Sequence, residues 1–326
     1  MNSKTLTLCM RYALAAAALC MAGHAGAQDW PSRPVHIIVP YAAGGTTDYA
    51  GRLIAQKLTQ ETGQSFFVEN KAGGAGTIGT AEVARAAGDG ATFLTNDTSY
   101  AMLPALYSKL PWNHETDLIP ITTLVETPVV LVVPEKSPFK TMQDLVKYAK
   151  QHPGKLNFGS GGAGSSTHLQ TVVFNKDADI SATHIPYKGA GDAMRGLVSN
   201  QVDYLITATP TAVPQIQGGR ARALAVTGGQ RVSVLPDVPT FGEAGLPAYK
   251  VMNWFGMAAP KGTPPKITNS MYELIKKGLS DPSIEQSLAK QGAHAGGMPP
   301  ADFAAMIRRE TKGWISAAQQ AGIHPQ

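Results

Sequence analysis

Cysteine is nearly absent: the 326 residues contain two, Cys9 and Cys20, both close to the N-terminus. Residues 28–326 therefore hold none, which excludes disulfides, cysteine catalysis, cysteine-based zinc sites and Fe–S clusters there. Charge is scarce too. Charged residues make up 16% and hydrophobic residues 43%, the reverse of a disordered composition. The formal net charge is only +5 and it is dispersed, so no nucleic-acid-binding stripe is expected. The small basic excess favours an anionic small molecule. The chain has no H-x-x-x-H or H-E-x-x-H pair, and Asp48, Asp97 and Asp203 are scattered, so no metal is expected. A P-loop is missing as well, since Lys155 follows the lone Gly154. No cofactor is expected.

The one long apolar run is N-terminal. Lys4 and Arg11 precede Ala13–Ala22, about half a membrane span, and Ala25-Gly26-Ala27 fits a cleavage site. Residues 1–27 thus read as an export signal. Leu19, directly before Cys20, is too bulky for a lipoprotein cleavage site. Loss of Lys4 and Arg11 with the signal lowers the net charge from +5 to +3.

The remaining chain alternates short β-branched runs with helical patterns. Predicted strands are Val35–Pro40, Ser65–Val68, Thr92–Asn96, Val129–Val133, Leu156–Ser160, Ala182–Pro186, Val202–Ile206, Ala221–Val226 and Trp254–Ala259. Predicted helices begin near Asp48, Thr80, Thr98, Thr141, His168 and Gly191, and two amphipathic helices, Lys266–Leu279 and Pro300–Gln320, close the chain. Such alternation implies parallel sheets. It runs twice, over about 30–125 and 130–230, without a close sequence repeat. The expected fold is α/β and two-lobed, with two crossings between lobes that close by hinge motion.

Three glycine loops each lead from a strand into a helix: Tyr41–Asp48, Ala72–Gly79 and Ser160–His168. Backbone N–H groups and helix dipoles converge at such junctions, so they suit an anion. The second loop matches G-x-G-x-x-G at Gly74–Gly79, with Asp97 near the distance of a ribose-binding acid. However, it is not in the first βαβ unit, and Glu69–Ala72 separates it from its strand. Dinucleotide binding is therefore set aside. The third loop brings Ser160, Ser165, Ser166 and Thr167 close to His168, but it has no G-x-S-x-G elbow. A secreted α/β hydrolase acting on a carboxylate ester is the competing function, and its missing elbow and triad argue against it.

Several ordered motifs resemble the Bug-type extracytoplasmic receptors of tripartite tricarboxylate transporters. They are Trp30–Pro34, Pro40–Asp48, Val68–Gly73, Gly159–His168, His184–Gly189, Arg222–Thr227, Leu235–Thr240 and Trp254–Gly256. The resemblance implies a periplasmic-binding-protein fold of the Venus flytrap, type II-like kind with two crossover strands. It places lobe 1 at 28–128 plus 252–326 and lobe 2 at 129–251. It implies a monomer in the periplasm that closes over a carboxylate and delivers it to membrane permease subunits. A receptor presenting its ligand to a sensor kinase would look the same. Carried over residue by residue, Tyr41, Ala43, Gly44, Thr46, Thr47 and Asp48 line one side of the cleft. Ser160, Gly162, Ser165, Ser166 and Thr167 line the other, with Thr207 and Thr209 beside them. His168 is a capping or supporting group, and Tyr100 and Phe255 are ring candidates. Arg33, Arg52 and Arg195 read as structural. Where the family often has an acid and an amide before a proline, this chain has Thr207-Ala208-Thr209-Pro210. That departure suggests a di- or tricarboxylate without an amine; a terephthalate-like and a citrate-like ligand fit equally.

Overall fold

The computed structural model describes residues 30–320 and 325; the expected signal segment 1–27 lies outside them. The chain begins with strand β1 (Val35–Val39), helix α1 (Thr46–Thr62), β2 (Phe66–Asn70), a 3₁₀ turn at Gly74–Gly76, and α2 (Thr77–Ala84). Then come β3 (Thr92–Asp97), α3 (Thr98–Leu106) and the long β4 (Leu118–Pro134). A second run follows: α4 (Met142–Gln151), β5 (Asn157–Ser160), α5 (Ser166–Asp177), β6 (Thr183–Pro186), α6 (Ala190–Val198), β7 (Tyr204–Ala208), α7 (Thr209–Gln217) and β8 (Ala221–Val226). The chain ends with β9 (Met252–Pro260), α8 (Pro265–Leu279), α9 (Pro282–Ala289), the two-residue β10 (His294–Ala295) and α10 (Pro300–Gln320).

The strands form one sheet in the order β2-β1-β3-β9-β4-β7-β5-β6, with β8 and β10 also paired to β4. β1 is parallel to β2 and β3, and β5 is parallel to β6 and β7. The halves are joined because β4 serves both. Its residues 118–128 pair antiparallel with β9, and Val129–Pro134 pair with β7 and β8. The sequence marks only Val129–Val133 as a strand. The earlier part is masked by Pro120, which sits where the β4–β9 register shifts, a position at which the ladder tolerates proline.

Each half is covered on both faces. Ile37 packs with α1, α8 and α9, while its neighbour Ile38 packs with Trp254 and Phe303 on the opposite face. Val129, Leu131 and Val133 join one core of the second half, and Val130 and Val132 the other. The unbroken apolar run VVLVV follows from this, since a strand buried on both faces needs no polar alternation. Two helices escape the sequence reading. α7 carries Pro210 and Pro214, and α9 is a short segment capped by Asp281. The predicted strand Val202–Ile206 is displaced to Tyr204–Ala208, directly before α7.

Gly256 sits in β9 opposite Asn96 and Thr123. A Cβ there would run into the Phe303 ring and lie 3.0 Å from the Thr122 carbonyl oxygen. Gly256→Ala should therefore cost about 1–3 kcal/mol by overpacking, read as a lower thermal midpoint.

Candidate functional site

A cavity of about 410 Å³, including its mouth, lies where the two halves of the sheet meet. Five helices begin at its wall. Gly45, Thr46, Thr47 and Asp48 reach it from α1, and Asp97 and Ser99 from α3. Ser165, Ser166 and Thr167 reach it from α5, Ala190 from α6, and Ala208 and Thr211 from α7. Tyr41, Ala42, Gly161, Thr207, Asn253 and Phe255 complete the lining.

The helix starts are not equivalent. Asp97 caps α3 by accepting from Ser99 N at 2.9 Å, and Ser165 Oγ caps α5 by accepting from His168 N at 3.3 Å. The N-caps of α1, α6 and α7 are Gly45, Gly189 and Ala208, and none supplies a side-chain cap. First-turn N–H groups have no partner within their own helix. Three positive helix ends thus face one space with uncapped donors, although in α7 Pro210 supplies none.

The third glycine loop is tied to itself. Gly161 N donates to Thr167 Oγ1 (2.8 Å), Gly162 N to Ser160 Oγ (3.1 Å) and Gly164 N to His168 Nδ1 (3.1 Å). These three backbone donors are thereby consumed in shaping the loop. In the first loop, Gly44 N donates to Asp48 Oδ2 (3.1 Å), and Arg52 and Asn70 donate to Asp48 as well. Burial disfavours the Asp48 charge, but these bonds outweigh it and hold its pKa below the usual range.

The expected residues divide accordingly. Tyr41, Thr46, Thr47, Asp48, Ser165, Ser166, Thr167, Thr207 and Phe255 line the cavity. Ala43, Gly44, Ser160, Gly162, Thr209, His168 and Tyr100 stand outside its lining. Ser160 is fully buried and bonds His184 Nε2 at 2.6 Å. Thr209 donates to the Gly292 carbonyl at 2.8 Å. Tyr100 stacks on His114 and donates to its carbonyl at 2.8 Å. Arg33, Arg52 and Arg195 pair with Asp89, Asp48 and Asp192. Sequence reasoning missed Asp97 and Ser99: Asp97 drew attention only as a ribose-binding or metal candidate, and Ser99, at the start of α3, gave no signal. Thr211 and Asn253 gave no local signal; the topology brings them in. The inference of a ligand without an amine also loses its ground. It rested on a missing acid after β7, and Asp97 brings an acid into the cavity from β3.

The halves touch across the cleft at several points. Ala42 N donates to the Lys188 carbonyl (3.1 Å), Thr46 Oγ1 meets Thr211 Oγ1 (2.8 Å), and Ser166 N donates to Ser99 Oγ (2.8 Å). The packing is closest at Gly191 in α6, where a Cβ would stand 2.5 Å from the Ala43 oxygen and 2.8 Å from the Gly44 carbonyl carbon.

The family described as "Tripartite tricarboxylate transporter family receptor" matches residues 50–323. The chain belongs to this receptor family. Protein BugT of Bordetella pertussis is 33% identical over 304 residues, covering 93% of each chain. Rpa4515 of R. palustris, solved with adipate, is 35% identical with a TM-score of 0.87, covering 91% of this chain and 100% of its own. MatC of Rhodopseudomonas palustris, solved with malate, is 32% identical with a TM-score of 0.84, covering 88% of this chain and 99% of its own. This is the two-lobed α/β fold of periplasmic binding proteins, and the family consists of binding proteins rather than enzymes.

Two measurements probe this geometry. Alanine is the better helix former, so Gly191→Ala should leave the unliganded fold intact while blocking the approach of α6 to Ala43. X-ray scattering of that variant should show no ligand-induced compaction. The second concerns His168 and His184, whose rings stack at 3.9 Å. Burial, with His184 nearby, pushes the His168 pKa down to about 4, and burial lowers that of His184 as well. The unfolded chain, with histidine near 6.5, binds more protons, so stability should fall as pH drops from about 6.5 towards 4. Burial also pushes His114 down to about 4, so it adds to the same fall. His168→Asn keeps an acceptor for Gly164 and should make the fall in melting temperature shallower; equal slopes would refute the assignment.

Proposed function

We propose that this protein is a periplasmic solute receptor that closes over a di- or tricarboxylate and hands it to the membrane subunits of a tripartite tricarboxylate-type transporter. It works as a monomer, by binding alone, after an N-terminal signal at 1–27 directs export. Lobe 1 comprises 28–128 plus 252–326 and lobe 2 comprises 129–251, with β4 and the entry to β9 as the crossings. The observation that carries the reading is the convergence of three uncapped helix N-termini, those of α1, α6 and α7, on one cavity. A helix N-terminus favours an anion through its free N–H groups and its dipole. Three of them from two sides suit a ligand with more than one carboxylate. The adipate bound by Rpa4515 and the malate bound by MatC support the same ligand class.

The magnitudes suffice. A hydrogen bond to a charged group contributes about 1.5–3 kcal/mol, and micromolar affinity needs about 8 kcal/mol. Four to six donors across the three helix starts, the Ser166 hydroxyl and whichever of Thr46 and Thr211 does not donate to the other reach that range. Tyr41 and Phe255 supply ring surface for an aliphatic chain or an aromatic spacer.

A ligand that binds the native state raises the melting temperature in proportion to RT ln(1 + [L]/Kd). A thermal-shift screen of aliphatic and aromatic mono-, di- and tricarboxylates should give concentration-dependent stabilisation by a subset of the polycarboxylates. A flat response across the panel would overturn the reading.

A further inference from the structure

Two carboxylates, Asp48 and Asp97, line a cavity on which helix N-termini converge, and only Asp48 is paired with an arginine. Asp97 is 6% exposed, lines the space, and takes part in no ion pair found among the described residues. Its partners are hydrogen-bond donors. Oδ2 accepts from Thr47 Oγ1 at 2.9 Å, and Oδ1 accepts from Ser99 N at 2.9 Å and from Tyr41 OH at 3.3 Å. Burial raises its pKa, while the bonds from Ser99, Thr47 and Tyr41 oppose that rise. Asp97 also caps α3, where the helix dipole favours a carboxylate.

The consequence lies in where the protons point. A hydroxyl has one proton and two lone pairs, whereas an ionised carboxylate only accepts. The Thr47 proton is directed to Asp97, and Tyr41 divides its proton between Asp97 and the Ala75 carbonyl at 3.2 Å. Both oxygens keep acceptor lone pairs. The backbone of Thr47 has the opposite polarity, since its N–H lies in the uncapped first turn of α1. One residue thus offers a donor from its backbone and an acceptor from its side chain. Across the cavity, Thr207 is fully buried, and its Oγ1 has no protein partner.

We propose that Asp97, acting partly through Thr47, is a specificity-determining residue that selects carboxylates bearing a hydroxyl or ammonium group on the carbon next to a carboxylate. The ligand's carboxylate lies on the first-turn N–H groups of α1. Its neighbouring donor turns to Thr47 Oγ1 and Asp97, which an unsubstituted acid would leave facing a bare methylene group. This inference rests on the carboxylate-receptor reading and narrows its ligand.

The test uses matched sets on the mature protein by calorimetry and thermal shift. The sets are propionate, lactate and alanine; succinate, malate and aspartate; glutarate, 2-hydroxyglutarate and glutamate; and phenylacetate, mandelate and phenylglycine. In the set that fits, a substituted acid should bind about tenfold or more tighter than the plain one, the scale of one hydrogen bond to a charged group. Asp97→Asn, which caps a helix as well as aspartate does, should collapse that preference to within about threefold. Thr47→Val, which removes the hydroxyl at nearly constant size, should weaken the same ligand selectively. Ligand-free melting curves report whether each variant is folded. Equal binding of plain and substituted acids, or an unchanged preference in folded Asp97→Asn, would overturn the inference and leave the receptor reading standing. No stabilisation by any acid of the sets or of the wider carboxylate panel would overturn both.

Discussion

The structure depends on one strand that must satisfy its hydrogen bonds in two places. β4 gives residues 118–128 to β9 and then, without interruption, Val129–Pro134 to β7 and β8. A buried backbone must find partners along its whole length, and this strand finds them by belonging to both halves of the sheet. The return crossing at Met252 pairs with Pro128, beside the same switch. The cavity lies at this junction because the strands of both halves end there and their helices begin there. Asn253 and Phe255 on β9, and Thr207 and Ala208 on β7, reach the cavity from these joining strands.

Recognition at the junction relies on neutral dipoles. The helix starts provide N–H donors without the desolvation cost that buried cations would carry. The local arginines are engaged elsewhere: Arg52 by Asp48 and Arg195 by Asp192. Glycine and alanine at the N-caps of α1, α6 and α7 leave those ends uncapped, whereas Asp97 and Ser165 close α3 and α5. The N-cap residue thus separates helix ends with no side-chain acceptor from those already engaged by one. The stacked His168 and His184, with Phe158 against them, brace the α5 end.

The glycine loop at Pro40–Asp48 was legible because glycine followed by Thr-Thr-Asp after a β-branched run signals a strand, a turn and a helix start. The Ser160–His168 loop was equally legible as an element, and Ser165, Ser166 and Thr167 do line the cavity, while Ser160, Gly162 and His168 stand behind it. Its hydroxyls and N–H groups looked available from sequence, whereas in the fold many of them bond one another. Thr211 was hidden behind Pro210 and Pro214, which obscured α7. The first part of β4 was hidden by Pro120. Asp97 was visible, but its meaning depended on Tyr41 arriving from the loop after β1 and Thr47 from α1.

The sequence by itself determined the alternation of strands and helices, the absence of any cysteine after Cys20, and the ordered motifs that identify the receptor family. These are local or compositional properties, carried by runs of side chains and by turn chemistry. Only the tertiary structure decided which donors remain free for a ligand. A backbone N–H or hydroxyl is available only if no neighbour takes it, and those neighbours lie far away in the chain: Ser99 beside Ser166, Thr211 beside Thr46, and Lys188 beside Ala42.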